Sequence, residues 1–535
     1  MKSADYVIVG AGSAGCVLAN RLSEDPDVRV LLLEAGGKDR SLNIKIPAAF
    51  ANQFHTKLDW DFATEPEPAC DGRSLYIPRG KTLGGSSSMN AMLYVRGRPL
   101  DYDLWEAAGA TGWGWASVLP YFLKAENNER GASEFHAVGG PLNVADQRSP
   151  RPLDARILAA AEAIGIPRID DYNGPEQDGA SMFQVTQRGG RRWSTADGYL
   201  RPAMGRSNLE VVTGAHALGL DWEGDRAAGV RYSRRGRRVH NARAEREVIL
   251  AAGTFGSPQL LLLSGIGPPD ELREAGVQVR HELPGVGQGL QDHPYVTVLV
   301  EVSDKRTLYG ADKPKPLAEW LLRRTGPLTS TAAEVTAFVR TRPGLPAADL
   351  SFHMGALYFD DHGASEFDGH AATLGPVLVG TRSRGRVWLR SSDPYDKPRI
   401  LTNTLAERDD VDSLVAGVKL SREMAASPPL ADTVVRELKP GAEFASDDEI
   451  EASVRRRVEL LYHPVGTCAM GPVLDPELRV RGVQGLRVVD ASVMPSIPGG
   501  NTNAPTIMVA ERTADLIRGR PPLTPAQAAP AQAPT

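Results

Sequence analysis

Residues Tyr6–Gly15 read YVIVGAGSAG, an apolar run followed by glycines at positions 10, 12 and 15. Behind them, Cys16, Val17, Leu18 and Leu22 recur at helical spacing. A strand, a glycine turn and a helix in this order can hold a pyrophosphate. Gly10 permits the tight turn, and Gly12 lets the backbone approach the phosphates. Gly15 lets the helix pack closely on the sheet, and the helix N-terminus faces the negative charge. A second apolar run, Val28–Leu33, ends in Glu34, 24 residues after Gly10. A carboxylate at that distance suits the hydroxyls of an adenosine ribose. The pattern reads as a dinucleotide site and does not choose between NAD and FAD.

Three later segments make the choice. In Arg79–Gly97, the loop Gly84-Gly85-Ser86-Ser87-Ser88 offers many backbone donors and runs into apolar Met89–Val95. That continuation favours a ligand-facing loop over a polar linker. In Ala251–Gly267, a strand at Val248–Ala252 delivers a Gly253 turn and then a helix over about 257–264, with Pro258 in its first turn. In Gly485–Asn503, a strand at Leu486–Val489 ends in Asp490-Ala491. One βαβ unit reaches only the adenosine end of FAD. Dispersed strand ends and loops of this kind suit its remaining length, and an NAD enzyme would not need them.

The elements that carry these residues belong to a chain of 535 residues, long enough for two or three structural units. Stretches such as Glu334–Val339 and Val387–Arg390 alternate in a way that suits an antiparallel sheet. A net charge of −5 gives no electrostatic case for nucleic acid or an anionic membrane as a partner. The run Arg234-Arg235-Gly236-Arg237-Arg238 reads as a solvated hairpin tip. Three cysteines without CxxC spacing fit neither a disulfide framework nor a zinc site. The opening strand leaves no room for a signal peptide, and no apolar run is long enough for a transmembrane segment. The expectation is a soluble, cytoplasmic protein. His353, His362 and His370 lack the tight spacing of a metal site, so no metal is expected.

Six ordered segments carry a resemblance over nearly the whole chain: 5–36, 79–90, 253–267, 283–293 (LPGVGQGLQDH), 462–471 (YHPVGTCAMG) and 485–511. They resemble the glucose–methanol–choline (GMC) oxidoreductase family, most of all its bacterial choline dehydrogenase and aliphatic alcohol dehydrogenase branch. The resemblance implies an α/β fold (α+β overall) with a Rossmann-like FAD-binding domain from 1–155, 200–300 and 455–520. A discontinuous substrate-binding domain on an antiparallel sheet would come from 156–199 and 301–454. Residues 521–535, rich in Pro, Ala and Gln, are expected to form a disordered tail.

The same resemblance implies FAD contacts at Gly10, Gly12, Ser13, Ala14, Gly15, Glu34, Ala35, Leu83, Gly84, Gly85 and Ser86. It extends them to Asn90, Ala91, Met92, Leu93, Ala217, Ala252, Gly253, Asp490, Ala491, Asn503, Pro505 and Thr506. Met89 stands where some choline oxidases carry a flavin-linked histidine, so non-covalent FAD is expected. His463 matches the family's catalytic histidine and would act as general base while hydride passes to flavin N5. Asn503 would be its partner, donating to the developing alkoxide. His293 reads as structural or flavin-supporting.

A primary aliphatic or aromatic alcohol is the favoured substrate, with choline as the alternative. Choline would need an aromatic cage and a carboxylate. Glu334 is a candidate for the carboxylate, although it could equally pair with an arginine; Trp320, Phe338, Phe352, Tyr358 and Phe359 are candidate walls. A quinone, a protein carrier or O2 would take the electrons, with a dehydrogenase favoured over an oxidase. FAD-containing hydroxynitrile lyase chemistry and a non-catalytic flavin-binding protein are the readings from other classes.

Overall fold

The computed structural model describes residues 2–234 and 238–526. Seven helices frame the site and its surroundings: α1 (Ser13–Leu22), α2 (Trp115–Ala125), α3 (Pro152–Ala163), α4 (Gly253–Leu263), α5 (Pro314–Arg323), α6 (Arg408–Ala425) and α7 (Asn503–Ile517). Among the described residues, no helix is long and apolar enough to cross a membrane.

A seven-stranded sheet forms from the glycine-turn end of the chain. Its order is Leu209–Thr213, Val30–Glu34, Lys2–Val9, Arg238–Leu250, Arg226–Arg234 and Ala215–Glu223, with Leu486–Val488 also paired to Arg238–Leu250. The strands around Lys2–Val9 are parallel, and Val30–Glu34 is buried throughout. An apolar run without alternation is what a sheet covered on both faces requires. Burying a Val, Leu or Ile side chain there stabilises the fold by roughly 2 kcal/mol each.

An eight-stranded antiparallel sheet lies beside it. Its order is Val434–Lys439, Val298–Val302, Ala371–Leu378, Leu350–Gly355, Val335–Val339 and Gly179–Met182, and Pro294–Tyr295 and Glu459–Leu460 pair at one side. Helices α3 and α6 pack on it. The last two short strands fall in segments expected to belong to the other domain, so the sheet borrows chain beyond the expected boundaries at 300 and 455. The reason is pairing: Tyr295 bridges Val377 and Glu459.

Two local expectations change. Helix α4 starts at Gly253 rather than near 257, and Pro258 lies inside it. The missing proline N–H leaves the Thr254 carbonyl without its helical donor, and the Thr467 hydroxyl donates to it instead at 2.6 Å. Residues 521–526, expected to start a disordered tail, run against α2, where Leu523 N–H donates to the Tyr121 hydroxyl and Ala526 N–H to the Ala116 carbonyl. Residues 527–535 lie outside the described residues. So does the tip 235–237 of the arginine-rich hairpin, whose flanks pair as Arg234 with Arg238.

Helices α1 and α7 lie side by side and parallel. Ser13 Oγ donates to Asn503 Oδ1 at 2.7 Å at their N-terminal ends. Eight residues further along each, Arg21 clasps Glu511 through Nε and a terminal nitrogen at 2.7–3.1 Å. The glycine turn allows α1 to start where it does, because a Cβ on Gly15 would sit 1.8 Å from the Gly10 carbonyl oxygen. Gly15→Ala is therefore expected to cost about 2–4 kcal/mol, read as a lower thermal midpoint of the apoprotein. An unchanged midpoint would show that the helix start can shift without loss.

Candidate active site

An elongated cleft runs between the two sheets. It is lined at one end by Gly10, Gly12, Ser13, Glu34 and Gly85 and at the other by His353, Tyr462 and His463. Helices α1, α4 and α7 all present their N-termini to it, through Ser13, Gly253 and Asn503. Three positive dipole ends aimed at one space suit a diphosphate.

The two glycine loops meet backbone to backbone. Gly84 N–H donates to the Ala11 carbonyl at 2.7 Å, and a Cβ on Gly85 would fall 2.6 Å from the Gly12 Cα. Gly12 itself has open space: the nearest atom to an added Cβ is 4.0 Å away. Its glycine is thus unexplained by packing within the chain and fits a ligand lying against the turn. Glu34 accepts from Ala11 N–H at 2.8 Å and Gly36 N–H at 2.7 Å. Burial pushes its carboxyl up to about 7, and ribose hydroxyls donating to it would favour the charged form. This donor and acceptor set fits the adenosine and pyrophosphate of FAD.

Most of the expected cofactor contacts line the cleft: Gly10, Gly12, Ser13, Ala14, Glu34, Ala35, Gly85, Ser86, Asn90–Leu93, Ala217, Ala252, Gly253, Asp490, Ala491, Asn503 and Thr506. Four do not. Gly15 packs under the turn, Gly84 bonds to Ala11, and Leu83 and Pro505 are buried in the protein. Asp490 lines the cleft, yet its oxygens are committed to the chain. One accepts from Gly253 N–H and Ser257 Oγ, the other from Ser492 N–H and Oγ. Its first task is to cap α4.

At the far end, His463 is held by its backbone and by both ring nitrogens. The Asp292 carboxylate accepts the backbone N–H of His463 and of His293, both at 2.7 Å, through one oxygen. His463 Nδ1 lies 3.1 Å from His293 Nδ1, and Nε2 lies 3.0 Å from the Asn501 side-chain nitrogen. An amide nitrogen can only donate, so Nε2 is the bare, accepting nitrogen and Nδ1 carries the proton given to His293. Burial holds the His463 pKa well below the ordinary value, and the charge of the Arg79 guanidinium lowers it further. Burial pushes His293 and His353 down to about 3. All three imidazoles are neutral at pH 7.

The partner of His463 is therefore Asn501, not Asn503. Asn503 is the first residue of α7, and its side chain turns to Ser13 at the phosphate end. Asn501 lies in the turn before the helix, where its side chain reaches the other way. The two differ by two positions in Gly500-Asn501-Thr502-Asn503, and only the helix start separates their directions.

The space in front of His463 is walled by Phe50, Phe54, Tyr295, Leu357, Phe359, Leu461 and Tyr462. Of the five expected wall residues only Phe359 lines it. Trp320 packs against Ile46 and Leu328, Phe352 is inside the antiparallel sheet, and Phe338 packs with Tyr172. Tyr358 stacks on Phe367. Glu334 does not face the cleft: it accepts Arg151 N–H at 3.2 Å beside Asp154, whose carboxyl is raised by burial and by Glu334. Among the described lining residues the carboxylates are Glu34, the last residue of its strand, and Asp490, two residues beyond the end of Leu486–Val488.

Two residues that sequence reasoning passed over support the site. Asp292 ties two distant histidines together, and its only sequence signal is its place beside His293. Buried Arg192 donates to the Ile44 and Ser87 carbonyls and to Asn90 Oδ1 at 2.7–3.2 Å, bracing the second glycine loop. Asp361, His362 and Glu459, where no metal was expected, bring ligand-type atoms within 4.8 Å of one another; the His362 ring bonds to the Tyr462 hydroxyl.

Substitutions at two positions separate these roles. Gly12→Ala is expected to leave the apoprotein's thermal midpoint unchanged while abolishing flavin retention on gel filtration; a variant that stays yellow contradicts the cradle. Asp292→Ala strips two buried N–H groups of their acceptor, at about 1–3 kcal/mol each. Asp292→Asn keeps the accepting oxygen, so it should retain far more turnover than Asp292→Ala. Equal losses in steady-state assays would refute a positioning role.

The GMC oxidoreductase family model matches residues 4–295 with its N-terminal part and 381–510 with its C-terminal part. The chain is 45% identical to the mitochondrial choline dehydrogenase of Homo sapiens, covering 97% of this chain and 90% of that protein. It is 43% identical to an alcohol dehydrogenase [acceptor] of Pseudomonas putida, covering 96% and 95%. The pyridoxine 4-oxidase of Mesorbium loti superposes with a TM-score of 0.88 at 32% identity, covering 97% and 100%. Formate oxidase of Aspergillus oryzae RIB40 superposes with a TM-score of 0.91 at 29% identity, covering 97% and 98%. The glycine cradle, the neutral histidine at the cleft's far end and these likenesses agree, and the chain belongs to the GMC oxidoreductase family.

Proposed function

We propose that the protein binds FAD non-covalently and oxidises an uncharged primary alcohol, aliphatic or aromatic, to the aldehyde. The observation that carries this reading is a buried, neutral His463 whose bare Nε2 and neighbouring Asn501 stand before an apolar chamber. An alcohol entering there takes the place of the Asn501 N–H at the one lone pair of His463 Nε2 and donates its hydroxyl proton to that nitrogen. The Asn501 amide then donates to the oxygen as negative charge grows on it, without competing for the proton. His463 Nδ1 keeps its proton on His293, which fixes the ring's tautomer and direction. FAD, held by the glycine turns, Glu34 and the three helix ends, supplies the hydride acceptor when bound. Met89 offers no side chain able to form a covalent link.

Choline is the second reading, favoured by the human relative and by the aromatic character of the chamber. The absence of a carboxylate among the described residues of that chamber, with Glu334 turned to Asp154, favours an uncharged substrate. Reoxidation by a quinone or carrier is supported by the name of the Pseudomonas putida relative, and reoxidation by O2 by the names of two oxygen-dependent choline dehydrogenases of 42% and 43% identity.

Anaerobic addition of an alcohol panel to the purified holoprotein tests the reading: aliphatic or aromatic alcohols should bleach the flavin absorbance. Bleaching by choline alone would overturn the substrate, and cyanohydrin cleavage without bleaching would overturn the class. His463→Ala should lower kcat by about 10²–10⁴ and Asn501→Ala by about 10². Asn503→Ala should weaken flavin retention more than kcat.

The pH profile carries a further expectation. Because the His463 pKa is held below the ordinary imidazole value, its base form persists as pH falls. The acid limb of kcat/KM is expected below pH 6.5, the ordinary imidazole value. A limb above that value would contradict a desolvated base.

A further inference from the structure

Helix α5 turns an apolar face outward. Its one buried side chain, Trp320, packs with Ile46, Ala49 and Leu328, and its indole N–H donates to the Gly190 carbonyl at 2.9 Å. On the other side Pro314, Leu317, Ala318, Leu321 and Leu322 are exposed. Leu322 is 84% exposed, Leu321 49% and Leu317 38%. With 3.6 residues per turn, these five positions span an arc of about 140°. Single exposed leucines are ordinary, but a continuous stripe of this width on one helix is not.

The rim of that stripe is basic. Lys313 and Lys315 are exposed at its two edges. Arg324 lies over the Trp320 ring at 3.9 Å. The hairpin that accepts the indole N–H adds exposed Arg188 and Arg191, and Arg191 is close enough to act on the Arg324 charge. Asp312 and Glu319 are the acidic residues on the same stretch. This cationic excess stands out on a chain whose net charge is −5. An apolar stripe between cations matches the boundary of a bilayer that carries anionic headgroups. A second copy fits less well, because a two-fold contact through this face would set one cationic rim against the other.

We propose that α5 docks the protein on an anionic bilayer surface, with Leu317, Leu321 and Leu322 entering the headgroup boundary and Lys313, Lys315, Arg188 and Arg191 meeting lipid phosphates. The helix rests on Ala49, and the next residue, Phe50, lines the cleft. Docking would thus hold the membrane beside the segment that walls the chamber.

Sedimentation of the holoprotein with vesicles tests this, using phosphatidylcholine alone and phosphatidylcholine mixed with phosphatidylglycerol. The wild type should pellet with the mixed vesicles, more weakly as salt rises, and remain in solution with phosphatidylcholine alone. Leu321→Ser/Leu322→Ser and Lys313→Glu/Lys315→Glu should each lower the affinity at least about tenfold. Alcohol turnover with a soluble dye should not change in either variant, so a failure here leaves the proposed reaction standing. The proposal is overturned if the wild type stays in solution with mixed vesicles, if it binds both vesicle types equally, or if the leucine variant binds undiminished. It is also overturned if ultracentrifugation finds a wild-type dimer that the leucine variant breaks, which would make the face a contact between copies.

Discussion

The reacting end depends on desolvation. A histidine can act as a base only while uncharged, and His463 is kept so by burial in a space shared with two other neutral imidazoles and the Arg79 guanidinium. No carboxylate bonds to its ring among the described residues. The protein places one close by, Asp292, but spends it on backbone N–H groups. That arrangement fixes the position of His463 without pulling its proton affinity upward through a ring–carboxylate bond. Burial also pushes Asp292 up to about 7, so the negative charge it can offer the site is itself reduced. A carboxylate bonded to Nδ1 would have favoured the imidazolium; His293 orients the ring and adds no charge.

The phosphate end follows the opposite logic. Two parallel helices in register, α1 and α7, set like dipole ends side by side, and α4 brings a third. Such an arrangement is unfavourable in isolation. Internal acceptors offset part of it: Asp490 takes the first N–H of α4, and the Ser13–Asn503 bond links the two other ends. What remains is a concentration of donors around Gly12, where no side chain fills the space. An anionic ligand completes this end electrostatically, just as a neutral substrate suits the other.

Sequence reasoning reaches furthest where a backbone requirement stands behind a residue. Gly10, Gly12 and Gly15 follow from turn geometry, and buried parallel strands follow from apolar runs without alternation. It reaches less far where side-chain direction decides. Asn501 and Asn503 are the same residue type two positions apart, and which one meets His463 depends on where α7 begins. Glu334 has the composition of a buried carboxylate site around it, but it precedes the strand Val335–Val339 and turns to the Arg151 N–H beside Asp154 instead of the cleft. Candidate walls in the central region leave out Phe50, Phe54, Leu461 and Tyr462, which come from segments on either side of it. Helix α4 can be placed from sequence but not its start, because the donor that replaces the Pro258 N–H lies 213 residues away, between Thr467 and Thr254.

Overall likeness and local chemistry bear differently on the substrate. An identity of 45% to a choline dehydrogenase is a value for the whole chain and not for the chamber. Discrimination between a quaternary cation and a neutral alcohol rests on a few side chains around one chamber. A cation brought out of water into a space with no carboxylate would meet aromatic faces alone. It would also meet an imidazole that, as the proposed base, would become positively charged during turnover, when a second positive charge nearby is most costly. A neutral alcohol avoids both difficulties. The same desolvation that keeps His463 a base therefore also favours substrates that bring no charge of their own.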